Sequence, residues 1–166
     1  MLSRTADHLY WMARYIERAE GLARMLDAQV RLALLPRPAE DERQGWLATL
    51  VSLGAEEGYA ARHGRVTPAA ALDYLAYDRG NPGSILSCLR LARENARAVR
   101  GTITGEMWET LNATYLESRG AAPRAGPAGA VDFLEWVKQR SHLTQGVTVG
   151  TMLRDEAFHF TRIGLC

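Results

Sequence analysis

Apolar residues recur along the first thirty-odd positions at Leu9, Met12, Ile16, Ala19, Ala23, Leu26, Val30 and Ala33, alternating steps of three and four. That spacing predicts a long helix with a continuous seam. A second set, Trp11, Tyr15, Leu22, Met25 and Leu32, widens the apolar surface to about half of the circumference at ~100° per residue, more than one partner helix covers. The expectation is a central helix from Ser3, read as its cap, to about Leu35, stopped by Pro36 and Pro38. Its remaining positions, Arg14, Glu17, Arg18, Glu20, Arg24, Asp27 and Arg31, form a polar stripe.

The later chain repeats this pattern in shorter pieces. Residues 39–53 form a helix closed by Gly54, a short helix covers Ala55 to His63, and Thr67-Pro68 caps and opens another to about Tyr77. The turn-rich stretch from Asp78 to Ser84 leads into a long helix reaching about Arg100, on which Arg90, Arg93, Arg97 and Arg100 share one edge. Thr104 caps a helix through Leu116, Gly120 to Gly129 reads as a surface connector, a helix spans about Ala130 to Leu143, and the last starts near Thr151. Val147 to Val149 is the one short strand-like run, too isolated to make a sheet. The fold class is all-α, a multi-helix bundle around a long N-terminal helix. Met1, Leu2, Ala6, His8, Leu9, Met12 and Ala13 match Met152, Leu153, Ala157, His159, Phe160, Ile163 and Gly164 at an offset of 151, so a second repeat is expected to begin near 151.

Composition narrows the function classes. The chain has 166 residues, 47% of them apolar, which suits one domain, 1–166, with a core that needs no disulfide or metal. Twenty basic against 19 acidic residues give a net charge of +1, which offers no general attraction to nucleic acid or anionic membranes. No apolar window approaches the ~18 residues of a membrane span, and two cysteines without paired spacing, Cys88 and Cys166, point to a reducing cytoplasm.

Several stretches together carry a family resemblance: Met1 to Trp11, Arg14 to Glu20, Asn81 to Ile85, Ala92 to Arg97, Trp108-Glu109, Arg140 to Leu143 and Thr151 to Glu156. In these the chain resembles the bacterial alpha-E domain family, an alpha-helical domain with a Glu-Arg motif that Glu17-Arg18 matches. The resemblance implies an accessory or scaffold role beside an ATP-grasp ligase, with a transglutaminase-like protein as a further associate, in peptide synthesis or modification. It also implies a longer protein, because a second Arg-Tyr-x-Glu-Arg segment is expected after the Arg154-Asp155-Glu156 element. Leu165 stands where the repeat would place the counterpart of Arg14.

Three readings of the polar stripe stay open. Glu20 with Arg24 and Asp27 with Arg31 are acid-before-base pairs worth ~0.2–0.5 kcal/mol each on an exposed helix. Alternatively Arg14, Glu17 and Arg18 face Arg93, Glu94 and Arg97 across a groove that binds a carboxylate or phosphate, since guanidinium forks suit both. A third reading is an internal ion-pair network that fixes register. Glu156 and His159 have the Glu-x-x-His spacing of bundle di-iron sites, but Thr5 occupies the matching position of the first helix, so no metal site is expected. Cys88 reads as a small core residue, and no glycine-rich nucleotide loop or other cofactor motif occurs. The function expected is therefore a non-catalytic partner, with a homo-oligomer as a further expectation; the alternative is an enzyme of peptide or amide metabolism holding an acidic substrate in the Arg/Glu groove.

Overall fold

The computed structural model of the chain describes residues 2–121 and 127–166. Its helices are α1 (Ser3–Leu32), α2 (Ala39–Ser52), α3 (Glu56–His63), α4 (Pro68–Leu72), α5 (Ile85–Ala98), α6 (Gly105–Ser118), α7 (Pro127–Thr151) and α8 (Glu156–Gly164), and a π-helical turn, Asp73–Tyr77, continues α4. No strand occurs among the described residues, and none of their helices is long and apolar enough to cross a membrane.

The breadth of the apolar surface on α1 explains its place: α5, α7 and α8 all pack against it, and α6 covers α5 and α7. Leu9, Met12, Ile16 and Leu26 of α1 are buried with Ile85 and Leu89 of α5, Met107 and Leu111 of α6, and Leu134 and Val137 of α7. Each such side chain contributes about 1.5–3 kcal/mol through removal from water. α5 runs antiparallel to α1, since His8 Nδ1 meets Asn95 Oδ1 at 2.8 Å while Gly83, just before α5, lies beside Arg18. α7 is also antiparallel to α1, with Ser141 on Glu20 and Lys138 on Asp27.

Local signals set most helix ends. The hydroxyls of Thr67, Ser84 and Thr104 accept from Ala70, Ser87 and Met107 amides, and the Asp155 carboxylate accepts from Phe158. At the end of α2 the Gly54 amide donates to the Val51 carbonyl, and Gly54 takes φ +62°, which turns the chain so that the Ala55 amide reaches the Leu50 carbonyl. Ser3 does not cap α1: it is the first helical residue, and the cap position belongs to Leu2, whose side chain has nothing to offer an orphan amide. The run Val147 to Val149 is helical, inside an α7 that continues to Thr151. The last helix starts at Glu156, after the Asp155 cap. Of the expected connector, residues 122–126 lie outside the described residues and the part from Pro127 onward belongs to α7.

α8 lies parallel to α1, so that Ala157 to Gly164 run beside Ala6 to Ala13, their counterparts at an offset of 151. A β-carbon on Gly164 would come 2.9 Å from that of Ala13, its counterpart, and would overlap the Tyr10 carbonyl oxygen. Ala157, Thr161 and Gly164 form the buried small-residue face of α8, while Leu153, Phe160 and Ile163 leave apolar surface open.

Candidate anion site

α1 presents Arg14, Glu17 and Arg18 on successive turns, and these side chains line a cleft of about 580 Å³. Its opposite wall is the turn Asn81-Pro82-Gly83 before α5, with Tyr74 and Leu75 supplied by the π-helical turn. The junction of α2 and α3 adds Leu53, Gly54 and Gly58, and α1 itself continues the lining through Leu22 and Met25. The turn is held from within: Asn81 donates from Nδ2 to the Tyr74 carbonyl at 2.9 Å and accepts from the Gly83 amide at 2.9 Å. The π-helical bond from the Asp78 amide to the Asp73 carbonyl, 2.9 Å, rotates Tyr74 and Leu75 relative to an α-helical path.

Within the cleft Arg14 donates from Nη1 to Glu17 Oε2 at 2.5 Å. Arg18 makes no ion pair or hydrogen bond among the described residues, and its Nη2 lies 3.9 Å from where a β-carbon of Gly83 would stand. The three charges sum to +1. The Tyr74 hydroxyl likewise has no hydrogen bond among the described residues, although its ring is buried against Tyr59, 5.5 Å between centroids. A cleft with a free guanidinium at one end and apolar Leu22, Met25 and Leu53 at the other suits a ligand with an anionic head.

Arg93, Glu94 and Arg97 do not line this cleft. Arg93 turns to the α6 side of α5: its Nε donates to Asn112 Oδ1 at 3.2 Å, its Nη1 to Glu94 Oε1 at 2.7 Å, and its Cζ lies 5.5 Å from the Trp108 ring centroid and 5.3 Å from that of Tyr115. The Arg100 Cζ lies over the same Trp108 ring, 4.9 Å from its centroid. Guanidiniums on aromatic faces at these distances fasten α5 to α6. Arg97 is exposed in the last turn of α5. The groove expected between the two sets is thus absent; the helix that faces Arg14 and Arg18 brings its N-terminal turn, not its arginine edge.

Glu20 is not an exposed pair member either. Only 9% exposed, it accepts from Arg24 Nη2 at 2.6 Å, Ser141 Oγ at 2.5 Å and Gln145 Nε2 at 3.0 Å, with His142 Nε2 at 3.2 Å. Burial pushes its carboxyl up, but the hydrogen bonds from Ser141 and Arg24 and the charges of Arg24 and His142 outweigh that and hold it below the ordinary carboxylate value. Lys138, between Asp27 at 3.2 Å and Glu135 at 2.7 Å, ties the same two helices a further two turns along. These contacts link α1 to α7 and involve none of Arg14, Glu17 and Arg18.

Cys88 is fully buried, and burial raises its thiol to about 11 despite the nearby Arg18 charge, so it stays protonated and apolar. Among the described residues no cluster of three histidine, cysteine or acidic side chains could hold a metal ion. Sequence reasoning missed Tyr74 and Asn81 as cleft residues; the glycine and proline density from Asp78 to Ser84 reads equally well as a plain turn, and the family resemblance of Asn81 to Ile85 does not say what the stretch faces.

No curated protein and no solved structure matches the chain. A family model does, over residues 1–166: Alpha-E, a predicted alpha-helical domain with a conserved ER motif. Glu-Arg occurs at 17–18 and again at 42–43, and only the first pair lines the cleft. The whole chain, an all-helical bundle with Glu17-Arg18 on its central helix, therefore belongs to the Alpha-E family.

Proposed function

We propose that this Alpha-E protein is a non-catalytic binding partner whose cleft beside Glu17-Arg18 holds a carboxylate or phosphate, in an accessory or scaffold role beside an ATP-grasp ligase of peptide synthesis or modification. The observation that carries the binding role is Arg18, a guanidinium without an ion pair or hydrogen bond among the described residues, at a cleft large enough for a small ligand. A cation-lined cleft favours a charged guest because each guanidinium–carboxylate hydrogen bond is about twice as strong as a neutral one. The ligase as partner rests on the family resemblance.

The second reading, an enzyme of peptide or amide metabolism, uses the same cleft for an acidic substrate. Glu17 is its one carboxylate, and Arg14 already occupies it at 2.5 Å; no histidine, serine or cysteine is among the cleft residues. That composition supports binding over catalysis. Affinity capture from the native host with the full chain as bait tests the partner directly. An ATP-grasp ligase retained by the wild-type chain is the expected result, and reproducible capture without any ligase would remove the accessory role.

A further inference from the structure

The cleft has a direction that narrows its guest. Along α1 its lining passes from Arg14 and Arg18 to Leu22 and Met25, and Met25 stands two turns beyond Arg18, about 10 Å at 1.5 Å per residue. Leu53 faces the same apolar end, and Tyr74 and Asn81 lie on the wall opposite α1. Resting on the reading of this cleft as an anion site, we propose that its guest is the free C-terminal end of a peptide, with the carboxylate on Arg18 and Arg14 and an apolar side chain about three residues upstream against Met25 and Leu53.

Four features favour a peptide over other anions. An extended chain advances about 3.3–3.6 Å per residue, so three residues match the distance between the charged and apolar ends. The Tyr74 hydroxyl, without a hydrogen-bond partner among the described residues, supplies a polar group that a peptide amide can satisfy and an acyl chain cannot. The charge is small, because Glu17 cancels one of the two arginines, which fits a single carboxylate better than a doubly charged phosphate. Gly21 and Gly54 leave parts of the lining without side chains, and a β-carbon on Gly54 would meet nothing within 4 Å, so a main chain can approach closely there, whereas the Tyr74 hydroxyl fills the space at Gly58.

Isothermal titration of the full chain with an N-acetylated tetrapeptide, one leucine followed by three alanines, separates these guests. The free acid is expected to bind at least tenfold more tightly than its C-terminal amide. Arg18→Gln is expected to erase that acid preference, and Met25→Gln to erase the preference for leucine over alanine at the first position. Both residues are exposed and lack polar partners, so the variants fold, which a melting curve checks. Equal binding of acid and amide would overturn the proposal, as would decanoate binding as tightly as the peptide acid. Inorganic phosphate binding in an Arg18-dependent way while the peptide fails would overturn the peptide and leave the anion site standing. No binding of any of these anions would overturn both.

Discussion

Replacing Glu20 with alanine is expected to destabilise the chain by about 2–4 kcal/mol, because it strands the buried Ser141 hydroxyl and the Gln145 amide between α1 and α7. At this chain length that lowers the melting temperature by roughly 10 °C. Arg24→Gln is expected to cost under about 1 kcal/mol, since its side chain is more than half exposed and water replaces what it loses. The pH dependence has a definite sign. The folded-state carboxyl of Glu20 lies below its ordinary value, so its contribution is complete above the unfolded value of about 4.3 and is lost as the pH falls through the folded value. Urea unfolding of wild type and Glu20→Gln should therefore differ most near neutral pH and converge in acid. A Glu20→Ala chain within about 0.5 kcal/mol of wild type would mean the network contributes nothing.

Gly164→Ala is expected to destabilise by about 1–3 kcal/mol, the reverse of what alanine does at an open helical glycine. The added β-carbon would overlap the Tyr10 carbonyl and press on the Ala13 side chain and the Arg14 amide, so α8 must withdraw from α1. Gly146, within α7, has nothing within 4 Å of its would-be β-carbon, and Gly146→Ala is expected to stabilise by about 0.5–1 kcal/mol through the helix propensity of alanine. The pair of variants, measured by chemical denaturation, isolates the close approach of the two helices. Stabilisation by both would show that α8 does not sit tightly on α1.

Local signals were legible where the physics is local. The three-to-four seam of α1, the caps at Thr67 and Thr104 and the glycine stop at Gly54 all depend on residues within one or two turns. The β-branched run at Val147 reads as strand by propensity, yet Thr148 is fully buried, with its hydroxyl donating to the Thr144 carbonyl and lying 3.2 Å from the Met107 sulfur. Tertiary packing there overrides an intrinsic preference worth only tenths of a kcal/mol per residue. The burial of Glu20 is not legible locally, because its partners on α7 lie 121 to 125 residues away and Arg24 four residues on offers a sufficient local explanation. The arginine edge of α5 was visible, but not which neighbour it meets; Trp108 and Tyr115 of α6 take Arg93, and the Asn81-Pro82-Gly83 turn takes the place expected for it opposite Arg18.

The anion cleft beside Glu17-Arg18 is tested most directly by a nuclear magnetic resonance titration of the full chain with acetate. Saturable shifts of the Arg18 side-chain Nε and the Gly83 amide, absent in Arg18→Gln and with Arg93 unmoved, are the result expected from the geometry of the cleft. Saturable shifts centred on Arg93 and Arg97, or shifts that grow without saturation across the whole surface, would contradict it.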